Sequence, residues 1–90
     1  MRTIWKYPIS LAGYQGASFP VGTVFLHFGL QDDVPTLWVL LDPDEKRQEY
    51  RRFRLVGTGN PIDEDGELVH IGTVVGHEGQ FVWHLFEVKP

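Results

Sequence analysis

The sequence predicts an all-β domain of about six mostly antiparallel strands, folded as a small sandwich or an open barrel. Short β-branched and aromatic segments are separated throughout by Gly, Pro and Asp, and no long segment carries the helical period. Length is the third observation: 90 residues, 42% hydrophobic and 13% aromatic, suffice to enclose one core and not two. Residues 1–90 are therefore read as a single domain.

Arg2–Tyr7 reads as the first strand, with Ile4 between Thr3 and Trp5 and a stop at Pro8. Residues 8–22 carry Gly13, Gly16, Pro20 and Gly22 and read as loop. Within them Ser18-Phe19-Pro20 suits a short extended piece at a sheet edge, where proline does least harm. Thr23–Gln31 alternates cleanly, Val24, Leu26, Phe28 and Leu30 on one face and Phe25, His27, Gly29 and Gln31 on the other. Asp32-Asp33 turns the chain into Thr36–Asp42, where Leu37, Val39 and Leu41 oppose Trp38 and Leu40. Asp42-Pro43-Asp44-Glu45 ends that hairpin with a helix-start signature, so one short helical turn is expected near 43–49. Tyr50–Val56 is the next strand, Phe53 and Leu55 pointing one way and Tyr50, Arg52, Arg54 and Val56 the other. Leu68–Val75 and Gln80–Val88 form a last hairpin around Gly76-His77-Glu78-Gly79. Closing that turn sets Ile71 opposite His84, Gly72 opposite Trp83 and Val69 opposite Phe86. Both faces of this hairpin are then apolar and need cover, from the rest of the chain at a central position in a tightly curled barrel or from a second copy; a homodimer is the favoured reading.

The absence of cysteine removes disulfides, thiolate zinc sites and a Cys nucleophile, and fits a reducing cytoplasm. No apolar run approaches the ~20 residues of a membrane helix, and no signal-peptide core is visible, so a cytoplasmic protein without a membrane partner is expected. A net charge of −4 argues against a duplex-DNA binder. Yet Lys46, Arg47, Arg51, Arg52 and Arg54, five of the eight basic residues, fall in one nine-residue stretch. Interleaved aromatics there raise single-stranded nucleic acid as a partner, but Phe53 should face inward and leave only Tyr50 to stack, so nucleic acid is disfavoured.

Gly57-Thr58-Gly59 is the most suggestive segment. Glycines around a hydroxyl residue let backbone amides converge on an anion. Arg52 and Arg54, upstream on one strand face, add bidentate phosphate contacts, and Tyr50 on that face can stack a base. The segment is neither a dinucleotide fingerprint nor a P-loop, since it lacks the third glycine and the Gly-Lys-Ser/Thr ending. The plain alternative is a structural turn beside a solvated basic face. His70, His77 and His84 recur every seven residues, but the register above sets His70 and His84 on opposite faces, so no metal site is expected. His84 reads as a core histidine with one hydrogen bond. The acids Asp63, Glu64 and Asp65 share one polar stretch and lack the fixed separation that paired catalytic carboxylates need. Thr58 with His84 or His70 could be built into a nucleophile–base pair, but nothing in the sequence requires it. No cofactor and no catalytic set are expected.

Thr3-Ile4-Trp5-Lys6-Tyr7, Leu37-Trp38 through Leu41-Asp42, Phe53 with Gly57-Thr58-Gly59-Asn60-Pro61-Ile62, Ile71-Gly72-Thr73-Val74, and Phe81 through Glu87 together resemble a small family of phage and bacterial proteins of unknown function. Its members often carry His where this chain has Asn60. The resemblance spans nearly the whole chain and implies a phage or prophage context, late in infection or against host defence. The expectation that follows is a non-enzymatic anti-defence protein, a sponge that sequesters a nucleotide-type immune signal. Phosphates would lie at Gly57, Thr58, Gly59 and Asn60 with Arg52 and Arg54, and the base on Tyr50 or Trp38. The alternative is an inhibitor of a host protein that uses the hairpin or the Trp5, Trp38 and Trp83 aromatics as its contact patch.

Overall fold

The computed structural model describes residues 1–63 and 66–90, with His77 described by its backbone alone. Glu64 and Asp65 of the acidic stretch, and the His77 side chain, lie outside the described residues. Seven strands follow one another: β1 (Thr3–Pro8), β2 (Tyr14–Pro20), β3 (Val24–Gln31), β4 (Val34–Leu41), β5 (Gln48–Gly57), β6 (Glu67–Val75) and β7 (Val82–Lys89). A single 3₁₀ turn, His77–Gly79, separates the last two. The strands form two antiparallel sheets, ordered β1-β4-β3 and β2-β5-β7-β6. The architecture is a two-layer sandwich rather than a barrel.

The seventh strand is β2, within the segment whose glycines read as loop. It forms because Gln15, Ala17 and Phe19 alternate inward while Tyr14 and Ser18 stay exposed. Pro20 is tolerated because β2 is an edge strand and proline ends it. No helical turn forms near 43–49. Glu45 N–H donates to the Asp42 carbonyl and Asp44 N–H to Asp42 Oδ1, which closes a β-turn that the strand β5 follows at once.

The core lies between the sheets, built from Phe28, Leu37, Val39 and Leu41 on one side and Phe19, Phe53, Leu55, Val74 and Leu85 on the other. Phe19 meets Tyr7, Phe25 and Phe53 edge-on, with ring centroids 5.5, 5.4 and 6.2 Å away. Phe25 reaches this cluster because a bulge between Phe25 and His27 breaks the clean alternation of β3. Phe25 and Phe28 both turn inward, and Val24 and Leu26 remain exposed. The layers approach most closely where β6 crosses β3. A Cβ on Gly72 would stand 3.0 Å from Phe28 Cβ and 3.3 Å from its carbonyl oxygen, so only glycine admits that crossing. At the opposite side, β1 and β2 leave a groove of about 360 Å³ lined by Trp5, Tyr7, Phe19 and Leu41 among others. No helix among the described residues is long and apolar enough to cross a membrane.

The last hairpin departs from the expected register. Gly76 N–H donates to the Phe81 carbonyl at 2.7 Å, so the loop closes two residues later than the glycine pair suggests. Gly72 then faces Leu85, and Thr73 faces His84. A bulge between His70 and Gly72 shifts the pairing once more and sets His70 against Phe86. The outer face of this hairpin therefore carries His70, Thr73 and His84 among its apolar groups and is not uniformly apolar.

Candidate functional site

The outer face of the four-stranded sheet gathers most of the chemistry. Register places Tyr14 beside Arg54, Gly16 beside Arg52 and Ser18 beside Tyr50. Across β5, Arg52 pairs with Val88, Arg54 with Phe86 and Val56 with His84. Tyr50, Arg52, Arg54, Val56, Tyr14, His84, Phe86, His70 and Thr73 thus share one side, since paired residues point the same way.

The cationic half lies over β2 and β5. Tyr14 and Tyr50 are 60% and 66% exposed, two aromatic side chains left open on a sheet whose other face is core. Gly16 makes room for one of them: a Cβ there would stand 2.6 Å from Tyr50 Oη. The Arg54 guanidinium lies 4.3 Å above the Tyr14 ring and donates to the carbonyls of Gly13 (3.2 Å) and Leu55 (2.9 Å). Its Nε is the one buried side-chain polar atom among the described residues without a hydrogen-bond partner. Arg52 is exposed, and among the described residues no carboxylate or carbonyl is bonded to it. Tyr14, Tyr50, Arg52 and Val88 line a cleft of about 280 Å³.

The imidazole half lies over β6 and β7. Thr58 Oγ1 is 2.7 Å from His84 Nε2, His84 Nδ1 is 2.9 Å from Thr73 Oγ1, and Thr73 Oγ1 is 3.0 Å from His70 Nε2. The His70 ring also packs on Phe86, with centroids 5.3 Å apart. His70 and His84 were expected on opposite faces; the bulge in β6 rotates His70 onto the face of His84 instead. His84 is half-buried and bonded at both ring nitrogens, not a core residue with one partner. Among the described residues, no three His, Asp or Glu side chains are placed to hold a metal ion.

The Gly57-Thr58-Gly59 segment is not an open nest of amides. Thr58 N–H donates to the Val82 carbonyl at 3.2 Å, carrying the β5–β7 ladder one step further, and Asn60 N–H closes a turn onto the Gly57 carbonyl at 3.1 Å. Gly59, at φ +89°, takes the position that a type II turn reserves for glycine. Its amide is bonded to no other described residue, and space around it is open. Arg54, held at Gly13, does not reach back to this turn. Trp38 lies on β4 in the other sheet, with its ring against His27, and shares no surface with Tyr50 or Arg52. Among the expected site residues, then, Tyr50, Arg52 and Arg54 come together, Thr58 joins the histidines, and Trp38 stands apart.

Tyr14 and Thr73 were not anticipated, and His70 was expected on the face opposite His84. For Tyr14 the signal is the alternation Tyr14-x-Gly16-x-Ser18, which the glycine hides. For Thr73 and His70 the local sequence carries no signal, because a bulge decides their face.

These features define a class: a two-layer antiparallel β-sandwich with aromatic, guanidinium and imidazole groups clustered on one outer face. The chain belongs to the family described as a domain of unknown function, DUF7352, whose profile matches residues 1–90. No curated protein and no solved structure matches it.

Proposed function

We propose that this chain is a non-enzymatic binding protein that holds a nucleotide-type ligand on the outer face of its four-stranded sheet. In the sequence's phage-like context this is the work of an anti-defence sponge, which needs tight capture and no turnover. The observation that carries the reading is the β2–β5 register, which sets Tyr14, Tyr50 and the unpaired Arg52 around one open cleft. A base stacked on a tyrosine gains about 1–3 kcal/mol, and a guanidinium gives a phosphate two parallel donors. The phosphate contacts of the nucleotide shift from the turn at Gly57 to Arg52, because two of the turn's amides, Thr58 and Asn60, are occupied.

Thermal melting against adenosine, AMP, ADP-ribose and cyclic dinucleotides tests this. A ligand at about 100 times its Kd adds about 2.7 kcal/mol of stability, a shift of roughly ten degrees or more for a chain this size. Tyr50→Ala and Arg52→Ala should each weaken binding about tenfold while the fold persists, since both side chains are exposed. Mass spectrometry of the incubated ligand should show it unconverted. If no nucleotide of the panel moves the melting curve, the reading is wrong.

A second reading, inhibition of a host protein, has one observation in its favour: Trp5, 53% exposed, borders the apolar groove between β1 and β2. Trp5, Trp38 and Trp83 do not form a common patch, since they lie in the groove, on the outer face of β4 and beside the core at β7. Under that reading a Trp5→Ala variant would lose its partner in a pulldown, whereas the nucleotide face would be unaffected.

A further inference from the structure

The geometry points to the Thr58–His84–Thr73–His70 chain as a proton-coupled subsite for a phosphate group. The inference deepens the nucleotide reading and rests on it for the ligand class: a nucleoside carrying two or more phosphates. Val56, which pairs with His84, lies four residues along β5 from Arg52, about 13 Å at the rise of a strand. The two positions share one face of the sheet, and a ligand that touches both is longer than a single phosphate.

Proton counting gives the mechanism. Three contacts, at 2.7, 2.9 and 3.0 Å, link two hydroxyls and two imidazoles, and each contact takes one hydrogen. Besides a broken arrangement in which Thr73 accepts from both rings, the chain with both rings neutral has two continuous polarities. In one, Thr58 donates to His84 Nε2, His84 Nδ1–H donates to Thr73, and Thr73 donates to His70; Thr58 then shows only lone pairs to solvent and repels an anion. In the other, every bond reverses and the Thr58 hydroxyl points outward.

A proton on His84 removes the choice. Both ring nitrogens then donate, and Thr58 must turn its O–H out. With the proton on His70 alone, Thr58 turns out when Thr73 donates to His84, and in when Thr73 accepts from both rings and gives its own O–H to solvent. The state with His84 protonated is therefore the one that fixes an outward hydroxyl with an imidazolium charge behind it. The adjacent Gly59 N–H, bonded to no other described residue, is a second donor in the same turn. The site captures a phosphate when the chain is protonated, and by reciprocity the phosphate draws a proton in.

Among the described residues, few charges compete. From β5 the rings face Arg54, one pair further along; from β6 and β7 they face each other and Phe86. Glu87 and Lys89 belong to the other side of the sheet, and Asp63 is exposed and bonded to neither ring.

Sulfate is the probe for the subsite, because it has phosphate's tetrahedral oxygens and does not titrate near neutrality. NMR titration of the imidazoles should show the His70 and His84 midpoints moving up when sulfate is added, with the Gly59 amide shifting too. Affinity for sulfate should be about tenfold tighter near pH 6 than near pH 8. Thr58→Val, which removes an exposed hydroxyl, should abolish both effects, and His84→Gln should remove the pH dependence. Adenosine and ADP are titrated in parallel. If sulfate leaves both imidazole midpoints unmoved, or if Thr58→Val binds it unchanged, the subsite is refuted, whatever ADP does at Tyr50 and Arg52. If sulfate binds with proton uptake while adenosine and ADP ignore the tyrosine face, the subsite stands and the nucleotide reading falls. If no probe binds, both are overturned.

Discussion

Arg51 reaches in from the edge of the core to Glu87, with Nε and Nη2 each 2.7 Å from a carboxylate oxygen. A third nitrogen donates to the Thr23 carbonyl, and the guanidinium lies 3.9 Å over the Phe25 ring. Burial pushes the Glu87 carboxyl up, but hydrogen bonds and charge from Arg51, aided by Lys89, outweigh it and hold the group below its ordinary value of 4.5. A depressed folded-state value means that the pair's contribution is complete above about pH 4.5 and is lost as pH falls through the lower, folded value. Urea midpoints should therefore drop between about pH 5 and about pH 3 in the natural protein, and drop less in an Arg51→Met/Glu87→Leu double variant. Arg51→Met alone leaves the Glu87 carboxylate with only Lys89, 3.4 Å away, as its cation and should cost about 3 kcal/mol at neutral pH. A midpoint unchanged by that single substitution would show that the pair does not hold this edge. Gly16 is the residue on which the cationic face depends most. A Cβ there would stand 2.9 Å from the Arg51 carbonyl as well as against Tyr50, so Gly16→Ala should both destabilise the β2 edge and displace the tyrosine. Loss of nucleotide affinity without loss of melting temperature would assign the glycine to the ligand alone.

At the level of the strand, bulges carry information that periodicity does not. In β3, the bulge between Phe25 and His27 sends two phenylalanines of opposite parity into one core; in β6, the bulge between His70 and Gly72 brings two histidines of opposite expected face together. Neither has a glycine or proline in the bulged position to announce it, since Leu26 and Ile71 are ordinary strand residues. The basic face of β5 was legible because that strand is regular and Arg52 and Arg54 keep their parity through Val56. The amide nest was misread for the same kind of reason: the ladder runs one residue past the last strand residue, and that single bond removes the convergence of N–H groups. Gly72 shows how tertiary contact decides a residue's meaning. The sequence suggests an aromatic across the strand from it, whereas the ring that fills the space is Phe28 of the other sheet. Phe28 is 1% exposed and the opposing atoms include its backbone, so the contact cannot relax by a rotamer change. Gly72→Ala should destabilise the sandwich by about 1–3 kcal/mol in urea unfolding. An effect below half a kcal/mol would mean the layers slide apart easily at this crossing.

For the molecule as a whole, alternation and turn residues sufficed for a small antiparallel all-β domain but left sandwich and open barrel both open, and the edge strand β2 was the element they hid. The principal extents of 40 × 32 × 16 Å describe a thin slab, so its two broad outer faces dominate the surface. One is the tyrosine, arginine and histidine face. The other, on the β1-β4-β3 sheet, carries Ile4 and Val24, 57% and 49% exposed, on either side of Leu40 with which both pair. A homodimer, expected from the sequence through the last hairpin, is better suited to this second face. Pairing there buries apolar residues with no charge between Ile4, Leu40 and Val24, and leaves the ligand cleft open in both copies. Pairing through the first face would cover Tyr50 and desolvate Arg52 without a carboxylate to meet it. A stable dimer needs about 800 Å² per partner, within the reach of a face of this breadth. Light scattering should accordingly give twice the 10.3 kDa chain mass. Ile4→Glu should return the chain to a monomer, because two copies would then face carboxylates across an apolar contact, while nucleotide affinity per chain stays the same. A natural protein that is monomeric at tens of micromolar, or an Ile4→Glu dimer as firm as the original, would remove this face as the interface.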